Sequence, residues 1–248
     1  MEEGSYLYCI IGCKDARNFG PIGIGGGGEQ VITLCHEDVS AVISRSPVKE
    51  YELTRENLLA HQSVIEEVMR CHTVLPVRFS TVAGGVEEIR GILRKRQREF
   101  GNLLKDMDNK VELGLKVLRK DMGAVFKEVA EADGEIRRLR DKVGAAQAGY
   151  SEKISLGMQV GCALEKRRQE EAERILFQLR PLSAEVRTNK LYGDGMVLNA
   201  AFLVDKAVAG EFDDRVKDLA DSNGAMKFKY VGPVPPFNFV NIAIEWRC

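Results

Sequence analysis

The middle of the chain constrains its fold more than any other stretch. Met122, Val125, Val129, Ala132, Ile136, Leu139, Val143 and Ala146 recur in alternating steps of three and four. That spacing lines one stripe of a helix with apolar side chains, the pattern of a coiled-coil seam. The break at "AAQAGYS" predicts a turn, after which Ile154, Met158, Gly161, Ala172, Ile175 and Leu179 carry a weaker seam. Glu165 and Arg168 interrupt it, and Pro181 stops the helix because it has no N–H to give the next turn. Two such helices predict an antiparallel hairpin over about 121–181, each arm about 40 Å long at a rise of 1.5 Å per residue.

The flanks of this hairpin complete a recurring order. Residues 110–118 alternate apolar and polar like a strand, and 183–191 and 196–204 flank the turn Tyr192-Gly193-Asp194-Gly195 as a β-hairpin. Val208 to Leu219 reads as a helix and Met226 to Val231 as a last strand. With the hairpin in place of the first helix, the order is β-α-β-β-α-β, the ferredoxin-like plan.

Upstream, Ser5 to Ile11, Val31 to Leu34 and Val39 to Ile43 read as strands. Thr54 suits the N-cap of a helix whose buried side holds Leu58, His61, Ile65, Val68 and Met69. Val74 to Phe79 with its central Pro76 suits an edge strand, and 86–107 a second helix with "RKRQR" (94–98) mostly on its outer side. The expected fold class is α+β in two domains. The first, 1–108, is a modified ferredoxin-like domain; the second, 109–248, is a ferredoxin-like domain with the coiled-coil hairpin and a closing proline-aromatic clasp at 232–240.

The candidate chemistry is sparse. Cys9, Cys13, Cys35-His36 and Cys71-His72 crowd the first third of the chain, and sulfur with imidazole is what zinc prefers. No C-x2-C knuckle accompanies them, and Cys9 sits in a strand-like run, so they are expected as free thiols with no metal. The run Gly25 to Gly28 in "GPIGIGGGGEQ" precedes a strand rather than a helix, so it is expected as a hairpin connection and not a phosphate cradle. His61 has no carboxylate in view and is expected to pack. No catalytic constellation or cofactor motif emerges.

A formal charge of −1, from 36 basic and 37 acidic residues, offers no general field for nucleic acid or an anionic membrane. No apolar run reaches the roughly 18 residues of a membrane span, and the acidic start Met1-Glu2-Glu3 is unlike a secretory signal, so a cytoplasmic protein is expected.

Five stretches, in order, resemble the gas vesicle protein F/L family over nearly the whole chain: "YLYCII" near the start, "VLPVRFSTV" at 74–82, "KVELGLKV" at 110–117, "VLNAAFLV" at 197–204 and "GPVPPFNFV" at 232–240. Where that family often has glycine, tryptophan, tryptophan and tyrosine, this chain has Ser80, Leu113, Val234 and Phe237. "ALEKRRQEE" at 163–171 stands for a Tyr-Leu-Glu-Arg-Arg type of segment, and F against L stays open.

The resemblance implies a non-enzymatic accessory protein of gas vesicle assembly. It would bind the small shell protein (protein A) and other accessory proteins, and act at the vesicle, with the gas-facing surface as one site. The motif residues it marks for interaction are Pro76, Arg78, Phe79, Asn199, Phe202, Pro233, Pro235, Pro236, Phe237, Asn238 and Phe239. The residues alone leave a second reading, a nucleic-acid-binding module of the RRM type with Phe228 and Tyr230 on one strand face, though an RNP-type pattern is missing. Exposed apolar positions on the hairpin fit a homodimer as well as a heterologous partner.

Overall fold

A computed structural model describes residues 3–144 and 149–244. It is mixed α/β with two sheets and divides into two compact units. One runs to Glu112 and resumes at Gly232; the other is Leu113–Val231. The clasp, expected in the domain from 109 onward, therefore packs with the first unit, because its partners lie there.

The first unit opens with β1 (Glu3–Ile11), β2 (Asn18–Gly20), β3 (Val31–His36) and β4 (Val39–Pro47). The helix α1 (Arg55–Met69), the short strands β5 (Val74–Pro76) and β6 (Val82–Ala83) and the helix α2 (Val86–Met107) follow. The sheet order is β2-β3-β4-β1-β5, with β6 also pairing β1. The apolar run of β1 is buried from Gly4 to Ile11, as a central strand requires. Thr54 caps α1 by accepting from the Asn57 N–H at 3.2 Å. His61, Val64, Ile65 and Val68 face the core; Leu58, expected beside them, is exposed instead. The connection between β2 and β3 holds Gly25, Gly26 and Gly28 at positive φ, which glycine adopts without a steric cost, and Ile24 within it is buried. Burial pushes the Cys9 thiol up. Among the described residues no group of three or more His, Cys, Asp or Glu is placed to hold a metal ion. None of their helices is long and apolar enough to cross a membrane.

The second unit contains most of β7 (Lys110–Arg119), then α3 (Met122–Ala132), α4 (Gly134–Gly144), α5 (Tyr150–Leu179), β8 (Glu185–Thr188), β9 (Met196–Asp205) and α6 (Ala209–Ser222), and enters β10 (Met226–Val234). Its sheet order is β10-β7-β9-β8.

The first hairpin arm, expected as one helix, breaks at Asp133. There the backbone leaves the helical region and the carboxylate accepts from the Glu135 and Ile136 N–H groups at 2.8 and 3.2 Å, starting α4 afresh ahead of Gly134. Ala146 and most of the "AAQAGYS" turn fall outside the described residues. In α5 the first half of the expected seam is out of phase, since Ile154, Met158 and Gly161 face outward, whereas Ile175 and Leu179 near its end are buried as expected. The inward residues are Leu156, Val160, Ala163 and Leu164, packed on Val125, Val129 and Ile136. The inward stripe continues through charged residues, which is why apolar spacing misread it. Glu171 Oε2 accepts from Arg119 Nε and Nη2 at 3.0 and 2.7 Å, while its Oε1 accepts from Arg167 Nε at 3.0 Å.

Candidate functional site

The site lies in the first unit and starts from an edge. β5 pairs antiparallel with β1, Cys9 opposite Pro76. Pro76 lacks an N–H, which costs nothing on an edge strand. Val77 then donates to the Tyr8 carbonyl at 3.0 Å and forms a parallel bridge with Ile242, and the Arg78 N–H donates to Ile242 O at 3.3 Å. Beyond Phe79 the chain reverses at Ser80, whose φ of 64° lies in the left-handed region that glycine favours. Here the serine hydroxyl compensates: its Oγ accepts from the Tyr51 N–H at 2.8 Å, and its own N–H donates to Tyr6 Oη at 2.9 Å.

Tyr6 links this turn to α1. Its hydroxyl lies 3.0 Å from His61 Nδ1, and since its oxygen already accepts from Ser80, its proton is available to the ring. Burial pushes the His61 pKa down to about 4, overriding a bond to the Val77 backbone that by itself favours protonation. The imidazole is thus neutral at physiological pH. Burial also drives the Tyr6 hydroxyl far above its ordinary range. The Tyr8, Tyr51 and Phe79 rings close around Tyr6 and His61 at centroid distances of 4.7 to 5.8 Å. The network fixes position; it offers no base poised near neutral pH.

The third wall comes from the C-terminal segment. Phe237, Phe239 and Val240 turn back through N–H bonds to Pro235 and Pro236 carbonyls at 2.7 to 3.1 Å. Asn238 is held by Glu112, and Phe239 and Val240 are buried, whereas Phe237 remains 38% exposed. Between α1, the 76–79 stretch and this segment opens a cleft of about 420 Å³, lined by Leu58, His61, Arg78, Phe79, Phe237 and Ile242 among others. Its described lining holds no serine, cysteine or carboxylate.

The motif residues distribute unevenly. Pro76, Arg78, Phe79 and Phe237 line the cleft, and Pro235, Pro236, Asn238 and Phe239 anchor the segment that forms its wall. Pro233, exposed in β10, is off the cleft lining, preceded by a cis peptide bond. Asn199 and Phe202 lie in the second unit. Asn199 Nδ2 donates to Lys190 O at 2.8 Å, and the Phe202 ring packs on Phe212 at 5.1 Å. Ile242 is a cleft residue that no sequence signal marked, and Leu58, expected on the buried side of α1, lines the cleft instead. Of the aromatic pair of the nucleic-acid reading, Tyr230 is engaged with α6: it stacks on Phe212 at 6.2 Å and donates to Asp213 Oδ1, on the half-buried strand face it shares with Phe228.

Fold and cleft together define a mixed α/β protein with two sheets, an apolar surface cleft and a neutral, fully engaged histidine. Residues 4–241 match the family model described as gas vesicle synthesis protein GvpL/GvpF, and the chain belongs to that family of gas vesicle accessory proteins. It is 28% identical to gas vesicle protein F1 of Halobacterium salinarum, covering 98% of this chain and 96% of that one. It is 30% identical to gas vesicle protein F of a Streptomyces species, covering 88% and 91%. The fold matches the crystal structure of the gas vesicle protein GvpF from Anabaena sp. PCC7120, with a TM-score of 0.86 over 98% of this chain and 100% of that one at 21% identity.

Proposed function

We propose that the chain is a non-enzymatic assembly factor that binds the small gas vesicle shell protein and other accessory proteins while the shell is built. The observation that carries this reading is the family match over residues 4–241, and the convergence of two family stretches on one apolar cleft supports it. The proposed site of action is the vesicle within the cytoplasm, its gas-facing surface included. The strand order β10-β7-β9-β8 supports a ferredoxin-like plan for the second unit, with the helical hairpin as its inserted arm. The packing of α3 and α4 on α5 supports reading that arm as a short, broken coiled coil.

Co-expression of the tagged chain with the small shell protein tests the function. Co-purification at physiological salt, with the shell protein kept soluble, is the expected result. A shell protein that precipitates alone while the tagged chain stays soluble removes the direct-binding claim.

A further inference from the structure

The cleft has a chemical asymmetry that its own packing does not use. Its walls are mainly apolar, from Leu58, Val77, Phe79, Phe237 and Ile242, with the uncharged amides of Gln62 and Asn241 among them. Arg78 is the one cationic side chain in its lining at neutral pH, since His61 is held neutral. Arg78 is exposed and, among the described residues, makes no ion pair and no side-chain hydrogen bond. An unpaired guanidinium beside an apolar cleft is complementary to one kind of group, an apolar body carrying a carboxylate. The backbone that presents Arg78 and Phe79 is already fixed, through Val77 on Tyr8 and Ser80 on Tyr6, so little ordering is left to oppose binding.

The extent of the apolar surface decides what carries that carboxylate. The cleft is open, and Leu58 and Phe237 in its lining are 39% and 38% exposed. Apolar side chains left open to solvent on both sides of a cleft are surface that an extended or helical polypeptide segment covers. We propose that the cleft docks a protein segment presenting a bulky apolar side chain next to an Asp or Glu. The apolar chain enters between Leu58, Phe79 and Phe237, and the carboxylate pairs with Arg78. This deepens the assembly reading by naming the chemistry of the docked segment, and rests on it only for the segment's source.

The test uses the full chain, immobilised and panned against a random dodecapeptide phage library, followed by fluorescence anisotropy with the best synthetic peptide. Enriched peptides are expected to share a bulky apolar residue beside an acidic one. Arg78→Gln should weaken the peptide about tenfold while Lys95→Gln, an exposed charge on α2, changes it less than about twofold. Replacing the peptide's acidic residue by its amide should weaken binding to the native chain but not further to Arg78→Gln, and Arg78→Lys should restore part of the loss. Equal melting temperatures of the variants confirm that each is folded. No enrichment, enrichment without acidic residues, or unchanged binding by Arg78→Gln overturns the proposal. So does displacement of the peptide by octanoate with the same Arg78 dependence, which would make the ligand a small amphipathic carboxylate. Because no shell protein enters this test, its failure leaves co-purification intact, and failed co-purification leaves a positive peptide result standing.

Discussion

Glu112 holds Asn238 with both carboxylate oxygens: Oε2 accepts from the Asn238 backbone N–H at 2.8 Å and Oε1 from its side-chain amide at 2.5 Å. Glu112 is 3% exposed, so these bonds replace the water that the carboxylate lost on folding. Glu112→Ala leaves the Asn238 donors without their acceptor and should cost about 2 to 3 kcal/mol in urea unfolding. Amide exchange at 237–240 should speed up first; protection there that matches the native chain would rule out this anchor.

The neutral His61 makes stability depend on pH with a defined sign. Its folded pKa, about 4, is below the unfolded value of 6.5, so in that window the unfolded chain binds a proton that the folded ring refuses. Stability is therefore unaffected above about pH 6.5, falls as pH drops towards 4, and levels off below, a loss on the order of 3 kcal/mol. His61→Gln should flatten this part of the acid limb in denaturation midpoints taken at half-unit pH steps. An identical slope in the variant would assign the acid loss to other groups.

Ser80 holds a positive φ that glycine adopts more easily, and its hydroxyl and its backbone therefore pull a substitution in two directions. Ser80→Ala keeps the strained backbone and strands the buried Tyr51 N–H, whereas Ser80→Gly loses the same bond but relieves the strain. The glycine variant should melt above the alanine variant, by about 1 kcal/mol in stability. The reverse order would show that the turn relaxes away from the left-handed region once the hydroxyl is gone.

Phe237 and Phe239 are two apart and do different work. Phe239, 7% exposed, should cost about 3 kcal/mol on truncation to Ala, read as a lowered melting temperature. Phe237, at 38% exposure on the cleft's mouth, should change the melt little and reduce retention of the shell protein in the co-purification assay. Equal thermal losses from both would make the segment a structural clasp alone.

Much of the scaffold was legible because it rests on periodicity. The start of α1 at Thr54, the extent of α2 and the strand run of β1 follow from capping and apolar spacing, which act locally. The hairpin arms were read as helices for the same reason. Their facing was legible at Val125, Val129, Ile136, Ile175 and Leu179 but not in the first half of α5, because the inward stripe there runs on through Arg167 and Glu171, which pair with Glu128 and Arg119 far away in sequence. Asp133 shows the limit of periodicity from the other side: a carboxylate that reaches its own backbone ends a helix that the apolar pattern would carry on. The cleft was half legible. The motif stretches named two of its walls, but nothing local to Glu112 or Asn238 announces a bond that spans 126 positions.

That span orders the life of a newly made chain. Unit one is sequence-discontinuous: the whole of 113–231 must leave the ribosome before Asn238 can reach Glu112. Until then the Glu112 carboxylate has no Asn238 to hold, and the Phe237 wall of the cleft does not exist. Closing so long a loop is entropically slow unless the intervening unit folds first and shortens it. The cleft thus forms only on chains translated past 232–242, and a ribosome stalled near residue 231 should display a nascent chain that cannot retain the peptide selected on the full chain.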